Sequence, residues 1–277
     1  MAGRKRQRKR MLGKGASNLF AVLVYAFLYT PIAVMMVFSF NDQRINYYWN
    51  GFTLRWYEKL FTNSSIVEYL WNSLYIAAAA TVISVIIGTI GAVGLIRFEF
   101  KVKKLVNNSL YIPIVIPEVV LGLSLLMLFE TVRLPLGFAA IILSHITFCV
   151  PFVIIIMRGR LAGMDLSVEE ASMDLGANRL VTFFRVTLPM LIPGIMSGAF
   201  MSFTLSIDDV IISNFVSGPY STTFPVKILS LVKTGLSPEV NALTTIMIAV
   251  ILLGLLINSA VQAFMRKRAL THIKSYF

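Results

Sequence analysis

Apolar residues in this chain of 277 come in long unbroken runs, not in the alternation of a surface strand or the one-sided stripe of a soluble helix. Six runs stand out: Leu19 to Phe40, Trp71 to Ile96, Asn107 to Glu130, Leu136 to Met157, Leu191 to Ile212 and Asn241 to Met265. A helix of about 20 mostly apolar residues crosses a bilayer, so the pattern predicts an all-α integral membrane protein with about six transmembrane helices. The connecting segments are short and polar, the longest being the outer ones from about Asn41 to Leu70 and Ser213 to Val240. One transmembrane domain over 1–277 is expected, with a basic arm over 1–18, a polar loop over 158–188 and a tail over 266–277.

Composition agrees with the pattern. Hydrophobic residues make up 57% and charged residues 14%, and the mean hydropathy is +0.78. A soluble domain carries about 25% charged residues. Of the 25 Lys and Arg residues, nineteen fall in the arm, around Arg97 to Lys104, in the loop from Arg158 to Arg185, and in the tail. The other six are Arg44, Arg55, Lys59, Arg133, Lys227 and Lys233. Positive charge stays in the cytoplasm, so both termini and the loop over 158–188 are expected inside.

Charge and cysteine usage exclude other classes. The net charge of +12 and the run Arg4 to Arg10 suit an anchor on anionic membrane lipid better than a nucleic-acid arm, and no nucleic-acid partner is expected. The apolar stretch after the arm is too long for a cleaved signal peptide and is expected to stay attached. Cys149 stands alone in an apolar run, which leaves no internal disulfide and no metal cluster. Ser144 and His145 are adjacent and do not face one another on a helix, so no catalytic site is expected. No GxxxxGK[ST] loop is present, so ATP binding is expected only in a partner.

The loop over 158–188 has a detailed signature. Ser167 with Glu170 three residues on reads as a capping box, predicting a short helix from about Val168 to Leu175 that Gly176 ends. Asn178 is placed to cap a second short helix carrying Leu180, Phe183 and Phe184, and Pro189 suits the first turn of the next membrane helix. Glu170-Ala171-Ser172, three residues, Gly176, nine residues, then Val186-Thr187-Leu188-Pro189 resembles the cytoplasmic coupling loop of ABC importer permeases. Ser172 stands for the family's second Ala and Val186 for its Ile. That resemblance implies that Glu169, Glu170, Ala171, Ser172, Asp174, Gly176, Leu188 and Pro189 couple the chain to ATPase subunits. This chain itself would bind no cofactor, and its partners would use ATP and Mg.

Carboxylates inside the apolar runs are costly and usually face a bundle interior or an aqueous path. Asp208 and Asp209 lie late in the fifth run, roughly 28 Å from Pro189 at about 1.5 Å per residue. Adjacent helical side chains diverge by about 100°, so one is expected in a pathway and the other paired or near the headgroups. The alternative is that both lie at the outer interface without a ligand. Glu118 follows Pro113 and Pro117, which invite kinks, and reads either as a pathway residue or as a partner for a polar group on another subunit. His145 reads as an interhelical hydrogen-bonder. Trp56, Tyr57, Trp71 and Tyr75 read as an outer-interface aromatic belt.

A closer resemblance lies in Ser144 to Cys149, Ser202 to Asp209, Ser213 to Pro219 and Ser237 to Leu243. These look like the second permease subunit of bacterial spermidine/putrescine importers, and the similarity runs from about Tyr29 through Leu243. It implies a heterodimer with a homologous permease, two cytoplasmic ATPase subunits, an extracytoplasmic polyamine-binding protein and residence in the bacterial cytoplasmic membrane. Alternating access would then carry a polyamine inward past Asp208, Asp209 and Glu118. Importers of thiamine, iron or other small solutes share the loop and remain an alternative, as does a passive channel subunit.

Overall fold

The computed structural model describes residues 2–43, 48–62, 64–165, 167–234, 238–249, 252, 253 and 256. In chain order the elements are α1 (Ala2–Phe38), α2 (Arg55–Thr62), α3 (Ser64–Arg97), α4 (Lys103–Ser109), α5 (Ile112–Val115), α6 (Glu118–Thr131), α7 (Phe138–Ala162), α8 (Ser167–Asp174) and α9 (Arg179–Thr182). A π turn (Phe183–Thr187) follows, then α10 (Leu188–Asp208), α11 (Ile211–Val216) and α12 (Phe224–Thr234), and residues 238–249 are helical too.

Four stretches are long and apolar enough to cross a bilayer unbroken: Ser17–Phe38, Ile66–Arg97, Phe138–Ala162 and Arg179–Asp208. The third expected run is not one straight helix. Its two arms, Lys103–Val115 and Glu118–Thr131, are bent by 110° at Ile116 and Pro117. Pro117 has no N–H to continue the ladder, and it forces the residue before it out of the helical region, so Ile116 is extended at φ −67° and ψ 134°. Pro113 sits in the first turn of α5, where a missing N–H costs nothing. Of the sixth expected run, Asn241 to Met265, the described part 241–249 is helical and most of the rest lies outside the described residues.

The fifth run also ends earlier than expected. Asp209 leaves the helix with extended backbone, φ −65° and ψ 125°, and the short α11 starts two residues later. Asp208 is therefore the last residue of α10, and Asp209 belongs to a turn.

The chain divides into two compact units, one of residues 1–64 with 231–277 and one of 65–230. Within the first, the Trp56 indole N–H donates to the Asn41 carbonyl at 2.7 Å, and Lys59 is ion-paired with Glu239. Phe40 stacks on Phe52 and on Tyr57, whose hydroxyl bonds Ser39 Oγ at 2.7 Å. Trp56 is buried, so the expected aromatic belt is corrected there: an indole with a buried acceptor in reach packs inward. Trp71 and Tyr75 are exposed as expected.

The second unit holds two apolar clusters. One joins Ile76 of α3, Leu125 and Phe129 of α6, Ile141 and Phe148 of α7, and Ile212 of α11. The other joins Ala92 and Leu95 of α3, Val153 and Met157 of α7, and Leu191 of α10. Between them Gly88 lets α3 approach α7, since a Cβ there would stand 2.5 Å from Val153 Cγ1. Small residues at such crossings are how membrane helices gain packing contacts.

Candidate functional site

The loop after α7 is built from turn chemistry. The Ser167 N–H donates to Asp165 Oδ1 at 3.0 Å, so Asp165 stabilises the start of α8 and Ser167 is its first residue. The expected capping box is corrected accordingly, because a carboxylate two residues earlier takes the open donor. Hydrogen bonds from the Ser167 backbone and hydroxyl hold the Asp165 carboxyl below its ordinary range. Gly176 closes the helix in left-handed backbone at φ 91°. Asn178 Oδ1 then accepts the Val181 N–H at 2.8 Å and caps α9, as its position predicts.

The second short helix is not separate from the membrane helix. α9 runs through the π turn into α10, and Pro189 lies in the first turn of α10. The ring of Pro189 crowds the carbonyl four residues back, at Arg185, and widening that turn to a π geometry relieves the clash. α8 and α9 are thereby fixed to one end of a helix whose other end is Asp208.

Most residues assigned to the loop by sequence face outward. Glu170, Ala171, Asp174, Gly176 and Pro189 are exposed, and Ser172 and Leu188 are half-buried. Around them Val168, Met173, Leu175, Leu180 and Phe184 expose an apolar patch. Glu169 differs. It is buried, ion-paired with Arg97 at the end of α3, and it accepts the Thr187 hydroxyl at 2.7 Å. Burial pushes its carboxyl up, but the hydrogen bonds from Arg97 and Thr187 and the Arg97 charge outweigh this and hold it below the usual range. The sequence reading put Glu169 with Glu170 on the coupling surface, whereas in the structure it faces inward.

A cavity of about 330 Å³ opens at the break in the third span. Glu118, the first residue of α6, and Asp208, the last of α10, are both exposed and both line it, with Phe148, Phe152 and Thr204 among the other walls. Neither carboxylate has an ion-pair partner among the described residues.

Asp209 also touches the cavity wall, but its carboxylate is engaged. It accepts the N–H groups of Ile212 at 3.2 Å and Ser213 at 2.7 Å, and Oδ2 lies 3.3 Å from His145 Nε2. His145, fully buried on α7, also bonds Ser206 Oγ at 2.6 Å through Nδ1 and Ser213 Oγ at 3.1 Å through Nε2. The imidazole thus links α7 to α10 and α11, in line with the interhelical role read from sequence. Cys149, buried beside it on α7, packs into the first apolar cluster.

Sequence reading missed the partners of Glu169. Arg97 counts there only as an inward positive charge and Thr187 as an unconstrained position of the motif. A part-buried ion pair between residues 72 apart leaves no local signal. The arrangement as a whole offers two chemistries: an acidic cleft that suits cations, and an exposed apolar and acidic loop tied rigidly to the helix that carries Asp208. Among the described residues no group of His, Cys, Asp and Glu side chains is placed to hold a metal ion.

Comparison with known proteins identifies the family. Residues 80–270 match the family described as binding-protein-dependent transport system inner membrane component. The chain is 43% identical over 231 residues to the spermidine/putrescine transport system permease protein PotC of Haemophilus influenzae, covering 83% of this chain and 90% of the relative. It is 41% identical over 237 residues to the putrescine transport system permease protein PotI of Escherichia coli, covering 83% and 84%. A solved bacterial ABC transporter involved in the import of alginate superposes with a TM-score of 0.69 over 90% of this chain and 96% of that one, at 16% identity. At that identity the likeness concerns the fold.

Proposed function

The chain belongs to the binding-protein-dependent transport system inner membrane components, the permeases of ABC importers, and we propose that the solute it passes is a polyamine of the spermidine/putrescine class. It is a multi-pass membrane protein of the bacterial type. In this reading it sits in the cytoplasmic membrane and pairs with a homologous permease. Two ATPase subunits use ATP and Mg, one of them docking on the loop over 158–188, and an extracytoplasmic binding protein delivers the solute.

The observation that carries the substrate assignment is the pairing of Glu118 and Asp208 on one cleft, with no ion-pair partner for either among the described residues. A linear polyamine presents ammonium groups separated by methylenes. Two carboxylates accept charge-assisted hydrogen bonds from the ammonium groups, and the aromatic faces of Phe148 and Phe152 suit the stem and offer cation–π contact. Broken helices that line a cavity are how membrane transporters bring polar groups to a solute.

Movement follows from the one helix shared by loop and cleft. α8 and α9 bear the exposed Glu170, Ala171 and Asp174, and α10 runs from them to Asp208. When the ATPases close, displacement of the loop tilts α10 and moves Asp208 relative to Glu118 on α6, which weakens the bidentate hold and releases solute inward. The test is ATP-dependent uptake by the reconstituted complex, with competition among putrescine, spermidine and inorganic cations. Competition by the two polyamines alone is the expected result. Equal competition by unrelated cations would remove the substrate assignment and leave the importer.

A further inference from the structure

The Glu169 carboxylate is only 6% exposed, too deep to touch a docked ATPase, whereas Glu170 beside it is exposed. Its two partners belong to different elements. Arg97 ends α3, and the fully buried Thr187 immediately precedes α10. Among the described residues no other ion pair ties the loop to α3. We propose that Arg97, Glu169 and Thr187 form an internal strap that passes displacement of α8 to α3 as well as to α10. They act as positioning residues, touching neither ATPase nor solute.

The physical case rests on stiffness. Along the backbone α8 reaches α10 only through a succession of short segments, the left-handed turn at Gly176, the short α9 and a π turn. A part-buried ion pair with a second hydrogen bond on the same carboxylate is stiffer, because separating it leaves the buried Glu169 carboxylate without its charge partner. Arg97 in the last turn of α3 also meets the favourable end of that helix's dipole. A push on α8 therefore reaches α3 through side chains.

From α3 the displacement has a packed route to the cleft. Gly88 holds α3 against Val153 of α7, and Ile76 of α3 shares an apolar cluster with Phe148 and Ile212, which both line the cavity. Two helices behind the cleft then move with α8, which changes its shape more than tilting α10 alone. The strap gives α3 a part in the transport cycle that the loop signature does not assign.

This inference rests on the importer reading, and the experiment separates the two. The complete complex with its ATPases and binding protein is reconstituted, and solute imported per ATP hydrolysed is measured for the parent, Glu169→Gln, Thr187→Val and the exchanged pair Arg97→Glu with Glu169→Arg. If the parent shows no ATP-dependent uptake, the importer reading fails first. With an active parent, assembled Glu169→Gln complexes are expected to hydrolyse ATP while import per ATP falls roughly three- to ten-fold, with Thr187→Val milder and the exchanged pair partly restored. A parent-like ratio in Glu169→Gln, or uptake and hydrolysis falling in proportion, would overturn the strap. Should Glu169→Gln fail to assemble, Thr187→Val decides by the same ratio, and a parent-like value there overturns it.

Discussion

Asp209 and His145 meet inside the helical bundle, carboxylate Oδ2 to imidazole Nε2 at 3.3 Å, while the preceding residue, Asp208, turns its carboxylate into the open cleft. Two adjacent aspartates thus hold opposite positions: one fastens α11 to α7, the other is available to a cation. The end of α10 at Asp208 produces the split, because the extended backbone of Asp209 redirects its side chain to the N–H groups of Ile212 and Ser213.

Asp209→Asn and His145→Ala should therefore act on stability. Each leaves buried hydrogen-bonding groups without a partner, a loss of about 2 kcal/mol. The thermal unfolding midpoint of the purified complex should fall, while the KM of the complexes that do assemble stays close to the parent's. A raised KM with an unchanged midpoint would put Asp209 in the pathway instead.

Asp208→Asn and Glu118→Gln should do the reverse. Loss of one charge-assisted hydrogen bond to an ammonium group raises the KM for polyamine roughly ten-fold. The unfolding midpoint should not move, since both side chains are exposed and carry no ion pair among the described residues. Uptake kinetics beside thermal melts check both statements, and unchanged kinetics in both variants would remove these residues from the cleft's function.

Gly176→Val should weaken coupling through backbone strain and not through a clash. A Cβ at this position meets nothing within 4 Å, but φ is 91°. Forcing an L side chain into left-handed backbone costs about 1–2 kcal/mol, which a short helix cannot absorb. Import per ATP hydrolysed should drop in Gly176→Val and largely survive in Gly176→Asn, because Asn tolerates that conformation better. Equal behaviour of the two variants would point to a side-chain contact with the partner.

The Glu169 tether should depend on pH in a defined direction. Its carboxyl is held below the ordinary range, so the stabilisation is complete above the unfolded value of about 4.3 and is lost as pH falls through the lowered folded value. Asp165, also lowered, titrates at the start of α8. Protection from hydrogen exchange over residues 167–189, taken relative to the free-peptide rate at each pH, should hold from neutral pH to about 5 and be lost only in stronger acid. In Glu169→Gln the protection should be low throughout and the acid-dependent step should shrink, leaving the part due to Asp165. A step of parent size would assign it elsewhere.

By itself the sequence determined the solvent, the approximate spans, the polar loop over 158–188, its helix-ending Gly176 and the cap at Asn178, because each depends on composition or on neighbours within a few residues. Pro113 and Pro117 also announced a disturbance in the third run, since a missing N–H is written in the residue type. Tertiary structure alone decided that the disturbance is a 110° break, that Glu169 turns inward to Arg97 while Glu170 stays out, that Trp56 is buried, and that Asp208 and Asp209 part company. Hydropathy records how much apolar surface a segment carries and not which way a side chain points. That direction depends on partners far along the chain, such as Arg97 for Glu169 and His145 for Asp209, which only packing brings together.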